Sequence, residues 1–263
     1  MLNLINDIRQ NRLLAELSED ELQELIPHMR KVHLSAGQLL SDSGEPIKTI
    51  YFPTNAVISL LYLMEDGASI EVAAVGNEGM TGTPVLTGGG AMPSRVEVCC
   101  EGYAYAIHAQ ILKREFDQCY AINRRMLLYI QALMTYIAQS ALCNRRHSVD
   151  EQLCRWLLLA HDRGQGTELT MTQQMIASKL GVRREGVTEA AGKLEAAGLI
   201  RRRRGHITLL DRDGLEERTC ECYSIMRGEF QRLLSVKRTE DTVPTPPRIY
   251  RGDQDAIRCT ARW

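Results

Sequence analysis

The stretch Leu169–Glu195, LTMTQQMIASKLGVRREGVTEAAGKLE, constrains this chain more than any other. It reads as two short helices joined by a tight turn at Gly181. The first runs from about Thr172 to Leu180, with Met175, Ile176 and Leu180 at helical spacing and the small Ala177 available for close helix contact. Thr172 suits its N-cap. The second starts near Arg183 and carries Val187, Ala190, Ala191 and Leu194 on one stripe. Its other stripe holds Arg183, Arg184, Glu185, Thr188 and Glu189. A polar face near a helix N-terminus fits a DNA major groove, where Arg pairs with the guanine edge and Glu accepts from the cytosine amine. Taken alone, the pair reads more readily as an ordinary helical hairpin with a charged, solvated face.

The flanking residues decide between these readings. Gly198-Leu199-Ile200 ends the second helix, and RRRRGHITLLD (Arg201–Asp211) reads as strand, Gly turn and strand. A β-hairpin after a helix-turn-helix is a wing, and Arg201, Arg202, Arg203 and Arg204 supply charge for phosphates. Residues 169–210 hold eight Lys/Arg against three Asp/Glu, a net +5, whereas residues 1–110 hold six against fourteen, a net −8. The whole-chain formal charge of −1 hides a basic module on an acidic body, which is the electrostatic footprint of nucleic-acid binding. Thr172 and Gln173, at the start of the first helix, join the expected DNA-contacting set.

At 263 residues the chain can build two cored domains. Its 44% hydrophobic and 25% charged residues are ordinary for a globular protein. No membrane span is expected, and the polar, acidic N-terminus lacks a secretory core, so the expected location is the cytoplasm. The eight cysteines are scattered, and Cys220 and Cys222 form C-x-C with no second pair at zinc-finger spacing. They read as small buried hydrophobes, with no metal site expected.

Along the chain, residues 4–30 read as helical, with a capping-box pattern at Ser18–Glu21. From about Val32 the period changes. Strands are expected at Lys48–Pro53, Ala56–Met64, Ala68–Val75, Arg95–Cys100 and Tyr103–Ile107, with a turn at Glu65-Asp66-Gly67. Between them lie a short helix over Glu78–Leu86 and a loop at Gly88-Gly89-Gly90. A long helix over Ala109–Asn144, broken near Cys119, carries Met126, Ile130, Leu133 and Ile137 as a short coiled-coil seam for a homodimer. Another helix spans Val149–Ala160, and the tail from about Thr239 is expected to be disordered. The expected fold class is therefore α+β. An N-terminal antiparallel, jelly-roll-like β-roll covers residues 1–108 and a dimerisation helix residues 109–146. A winged helix-turn-helix follows over residues 147–220, then a C-terminal helix and tail over residues 221–263.

This order resembles the Crp/Fnr family of bacterial transcription regulators over roughly residues 12–225. The sharpest match is MTQQMIASKLGVRREGVTEAAGKLEAAGLI, and LSAGQLLSDSGEPIKTIYFPTNAVISL is similar to the opening of the family's cyclic-nucleotide-binding-like roll. The resemblance implies a dimer on double-stranded DNA, with RNA polymerase as a further partner. Arg184 and Glu185 stand where the family's Arg-Glu pair contacts base edges. Glu189 stands where the best-studied members carry Arg, so the DNA site should differ from theirs.

The effector site departs further. The family's cyclic-nucleotide binders use a Gly-Glu segment with a nearby Arg-Ser/Thr-Ala. Here Glu78 and Arg95 are the only residues of that type, lie farther apart, and lack the Arg-Ser-Ala. A buried phosphate diester requires that charge pairing, so no cyclic-nucleotide cofactor is expected and any effector is of another kind. The competing reading is a ligand-sensing module of the same type with secondary DNA binding. A small-barrel enzyme would need converging histidines, but the six here are scattered and no catalytic residues stand out.

Overall fold

Asn11 organises the N-terminus. The computed structural model describes residues 2–234 except 66, 164, 165 and 167, so the expectation for the tail beyond Thr239 lies outside the described residues. In place of one helical stretch over 4–30 there are three short helices, α1 (Leu2–Ile8), α2 (Arg12–Ala15) and α3 (Glu19–Leu25), then a 3₁₀ turn at Ile26–His28. Asn11 is fully buried and caps α2 by accepting from the Leu14 amide at 3.1 Å. Its side-chain amide donates to Pro53 O and Gly79 O, both at 2.8 Å. Those bonds, to partners 42 and 68 residues away, repay the interruption of the helix. At α3 the capping box forms as expected, from Ser18 and Glu21.

Among the described residues, the roll contains seven strands. Two that the sequence did not announce, β1 (Arg30–Leu34) and β2 (Leu39–Ser41), precede β3 (Thr49–Pro53), β4 (Val57–Leu63), β5 (Ser69–Val75), β6 (Arg95–Cys100) and β7 (Gly102–His108). They form two antiparallel sheets, ordered β2-β6-β4-β5 and β1-β7-β3. Alternate residues from both, among them Ile50, Phe52, Ile58, Val96, Val98, Tyr105 and Ile107, are buried in one core. The helix expected over 78–86 shrinks to α4 (Pro84–Thr87). Its first residues are held elsewhere: Thr81 exchanges two hydrogen bonds with Tyr51 of β3, and Glu78 enters a buried ion pair.

Past the roll, α5 (Ala109–Gln118) and α6 (Tyr120–Arg146) are separated by the extended backbone of Cys119, where the sequence placed the break. A Cβ on Gly79 would stand 2.2 Å from the Tyr129 ring, so this glycine lets α6 pass close over the roll. Against expectation, α6 is long and apolar enough by composition to cross a membrane. It packs instead on α11 (Glu221–Leu234) and on β5, with polar Gln139 and Ser140 buried on that face. Phe230 of α11 sits 6.5 Å from Tyr129 and 6.4 Å from Tyr136, ring centre to ring centre.

The C-terminal unit comprises α7 (Val149–Asp162), α8 (Gln173–Leu180), α9 (Arg184–Ala196) and α10 (Arg212–Arg218). Its sheet is ordered β8-β10-β9, from Glu168–Thr170, His206–Leu209 and Ile200–Arg203. At three residues, β8 carries too little periodicity to be read from the sequence.

Candidate nucleic-acid interface

α8 ends in a left-handed residue, Gly181 (φ +66°), whose amide closes on Ala177 O and Ser178 O. Val182 then bonds back to Ala177 O, and α9 starts at Arg184 with Arg183 as its N-cap. Val187, Ala190, Ala191 and Leu194 are buried, leaving Arg183, Arg184, Glu185, Thr188 and Glu189 exposed as the stripes predicted. Among the described residues, no hydrogen bond or ion pair engages the side chains of Arg183, Arg184 or Glu185.

The other expected contact residues have internal duties. Thr172 caps α8 by accepting from the Met175 amide at 3.2 Å. Thr188 donates to Gln173 Oε1 at 2.8 Å, bracing the two helices against each other. Glu189 pairs with Lys193 at 3.0 Å, and Lys193 reaches Asp150 at 3.2 Å.

The wing divides its four arginines. β9 and β10 are joined through Arg204-Gly205, with Gly205 at φ +77°. Arg202 points back to α9, where its Nε donates to Glu195 at 2.8 Å and its Nη1 to Thr188 O at 3.3 Å. Hydrogen bonds from the Arg202 amide and guanidinium hold the Glu195 carboxyl below its ordinary range. Arg202 is thus a strut between wing and α9, while Arg201, Arg203 and Arg204 are exposed. Arg184, Arg203, Arg204 and His206 line one groove of about 410 Å³ between the helix pair and the wing, with Thr172 and Gln173 at its edge. Cationic side chains from two elements facing one concavity form a surface for a polyanion.

The helix-turn-helix is fastened to the roll by buried charge. Lys179 of α8 donates to Glu71 of β5 and to Ser59 of β4, both at 2.7 Å. Trp156 of α7 adds a bond to Glu71 at 3.4 Å. Burial pushes the Glu71 carboxyl up, and the charge and hydrogen bond of Lys179 more than offset this, leaving it below its ordinary value. Nearby, a Cβ built on Gly181 would meet Ile70 at 3.6 Å. The partner of Lys179 stands 108 residues away, so the pairing was not legible in the sequence.

Glu78 and Arg95 are not brought together. Glu78 is buried against Arg163 at 2.9 Å, at the junction with α7. Arg95 pairs with Asp42 through two bonds at 2.9 and 3.2 Å, holding that carboxyl below its ordinary range. The roll's cavity, about 340 Å³, is lined instead by Ser41, Glu45, Lys48, Thr49, Tyr51 and Thr81 with apolar neighbours, and neither Glu78 nor Arg95 reaches it. The four residues of the expected dimer seam differ in exposure, with Ile137 the most exposed of them. Met126 and Leu133 are buried in the chain's own core, and Ile130 is half-buried. Beside Ile137, Leu127, Met134 and Leu142 of α6 are exposed.

The family described as the Crp-like helix-turn-helix domain matches residues 151–218, which span α7 to α10. The chain shares its fold with solved Crp/Fnr-type regulators. A putative Crp/Fnr transcriptional regulator from Eubacterium rectale superposes with a TM-score of 0.62 at 17% identity, covering 80% of this chain and 98% of its own. FixK2 from Bradyrhizobium japonicum gives 0.62 at 16% identity, covering 73% and 98%. The c-di-GMP responsive global regulator CLP of Xanthomonas campestris gives 0.58 at 17% identity, covering 73% and 99%. No curated protein matches the chain.

Proposed function

We propose that this chain is a sequence-specific DNA-binding transcription regulator of the Crp/Fnr type, acting as a homodimer. The groove that places Arg184 of α9 beside Arg203 and Arg204 of the wing carries this reading. The N-terminal turn of α9 enters the major groove, where Arg183, Arg184 and Glu185 meet base edges, and the exposed wing arginines take phosphates. The exposed stripe Leu127–Met134–Ile137 of α6 supports pairing of two chains about a two-fold axis. Two recognition helices then read half-sites about 34–36 Å apart. A bound dimer recruits or blocks RNA polymerase. Selection of bound DNA from a random pool by the full chain should enrich a palindrome. Enrichment of no motif, with equal affinity for all sequences, would overturn the reading.

The roll takes no cyclic nucleotide. Glu78 and Arg95, the residues that could have served ribose and phosphate, are each consumed by another ion pair. Millimolar cAMP or cGMP should leave the melting temperature unchanged; a clear rise would count against this.

A further inference from the structure

Three cysteines and one histidine meet where the dimerisation helix ends. Cys143 and His147 are four residues apart on one face of α6, and His147 is the residue that caps it, its amide bonded to Cys143 O at 3.0 Å. Cys220 directly precedes α11 and Cys222 lies in its first turn, so the C-x-C pair faces them from the opposite element. The four potential ligand atoms all lie within 4.8 Å of one another. Cys143 Sγ stands 3.5 Å from Cys220 Sγ, and Cys222 Sγ stands 3.5 Å from His147 Nδ1.

We propose that Cys143, His147, Cys220 and Cys222 bind one zinc ion in tetrahedral Cys₃His coordination. Sulfurs at about 2.3 Å from a tetrahedral zinc are separated by roughly 3.8 Å, close to the spacing seen here. The ligand atoms are too close together to span an iron–sulfur cluster, whose cysteines attach to different irons, so the set fits a single ion. Soft thiolates with one imidazole select zinc over the hard cations that carboxylates prefer. Binding replaces three thiol protons, which pass to solvent, with three Zn–S bonds; His147 ligates as the neutral ring, and no redox change occurs.

The surroundings are those of a supported metal site. The other ring nitrogen of His147, Nε2, faces the Glu221 carboxylate at 3.3 Å, the arrangement that fixes the tautomer of a ligating histidine. Gln139, buried one turn before Cys143, donates to Cys222 Sγ at 3.1 Å. Three thiolates and a divalent ion leave one negative charge. The buried Arg155 guanidinium, which contacts Ser140 and Met226 in the adjoining turns of α6 and α11, lies in position to oppose it. A disulfide between Cys143 and Cys220 would use two of the four groups and leave the convergence of Cys222, His147, Glu221 and Gln139 without a purpose.

The site has a mechanical consequence. The ligands fall just outside the matched segment 151–218, two before it and two after it. The ion therefore clasps both ends of the matched segment together and pins them to the end of α6.

The full chain, expressed with zinc and purified under reduction without chelators, should carry about one zinc per chain by elemental analysis. Exchange with Co²⁺ should give the visible absorption of tetrahedral cobalt with thiolate charge-transfer bands. Cys143→Ser and Cys222→Ser should lose the metal, whereas Cys99→Ser, in the roll, should keep it. His147→Cys keeps the fold and the metal and strengthens the charge-transfer bands by the added thiolate, so loss of metal through misfolding is distinguishable. Chelation should lower the melting temperature of the wild type but not of Cys222→Ser. No zinc and no cobalt spectrum under reducing conditions would overturn the proposal. So would full metal content in Cys143→Ser, or a Cys143–Cys220 disulfide as the only species in freshly reduced and air-exposed protein.

Discussion

Replacing Lys179 with Met tests how the DNA-binding unit is held to the roll. Lys179 is 9% exposed and Glu71 8%, and the two meet at 2.7 Å with Ser59 and Trp156 completing the carboxylate's partners. Met preserves most of the apolar stem of Lys179 but removes the positive charge. Glu71 then stays buried with two neutral donors, no directly paired cation, and only the more distant charge of Arg163. Breaking one side of a buried pair in this way costs about 3–5 kcal/mol, most of it the uncompensated charge rather than the lost contact. The chain can limit the loss by protonating Glu71 or by letting α8 lift from β5 and admit water, so the lower end of that range is expected. The pair Glu71→Gln with Lys179→Met removes both charges and should recover most of the stability, because swapping a buried ion pair for neutral groups is close to neutral. Urea unfolding of the full chain followed by fluorescence provides the assay. Trp156 reports on this junction, and hydrogen exchange at β5 and α8 separates lifting from global unfolding. If Lys179→Met falls within about 0.5 kcal/mol of wild type, or the double variant is as weak as the single, the pair does not hold the two units together.

Other outcomes follow from the same geometry. Because the Glu71 carboxyl is held below its ordinary value, its stabilising contribution is complete above about pH 4.5 and is lost as pH falls through the lower folded value; an acid titration of stability should flatten in Glu71→Gln. Arg184→Ala should cost about 1–3 kcal/mol on the selected site and much less on scrambled DNA, and an equal loss on both would make Arg184 a phosphate contact. Replacing Arg203 and Arg204 with Ala should reduce the log–log salt slope of binding by about 0.9 for each lost phosphate contact, while Arg202→Ala should mainly lower the stability of the wing; an unchanged slope in the first variant would place the wing away from the duplex. Met134→Glu with Ile137→Glu should yield monomers by light scattering and abolish tight binding, and a persisting dimer would move the interface off α6.

Local and periodic features were readable along the chain. The helix-turn-helix, its Gly181 turn and the wing rest on short-range rules of spacing, capping and turn chemistry, and each stands where those rules place it. The capping box at Ser18 and the break at Cys119 belong to the same class. Which side of a periodic helix meets which neighbour is not local information. The spacing of Met126, Ile130, Leu133 and Ile137 identified an apolar helix, but only the packing of α11 and β5 determined that Met126 and Leu133 turn inward while Leu127 and Met134 remain outside.

Charged and sulfur-bearing side chains depend most on tertiary structure, because their partners are remote in sequence. Glu78 resembled a ligand-binding carboxylate and is instead neutralised by Arg163, 85 residues away. Arg202 resembled a phosphate contact and is a strut to Glu195. The C-x-C pair lacked a second pair at zinc-finger spacing because its complement, Cys143 and His147, lies on a helix more than seventy residues earlier. A sequence determines which groups are available and the periodicity of each element. Folding determines which of those groups share a dry site, since burial makes an unpartnered charge or thiolate costly and so selects the partner.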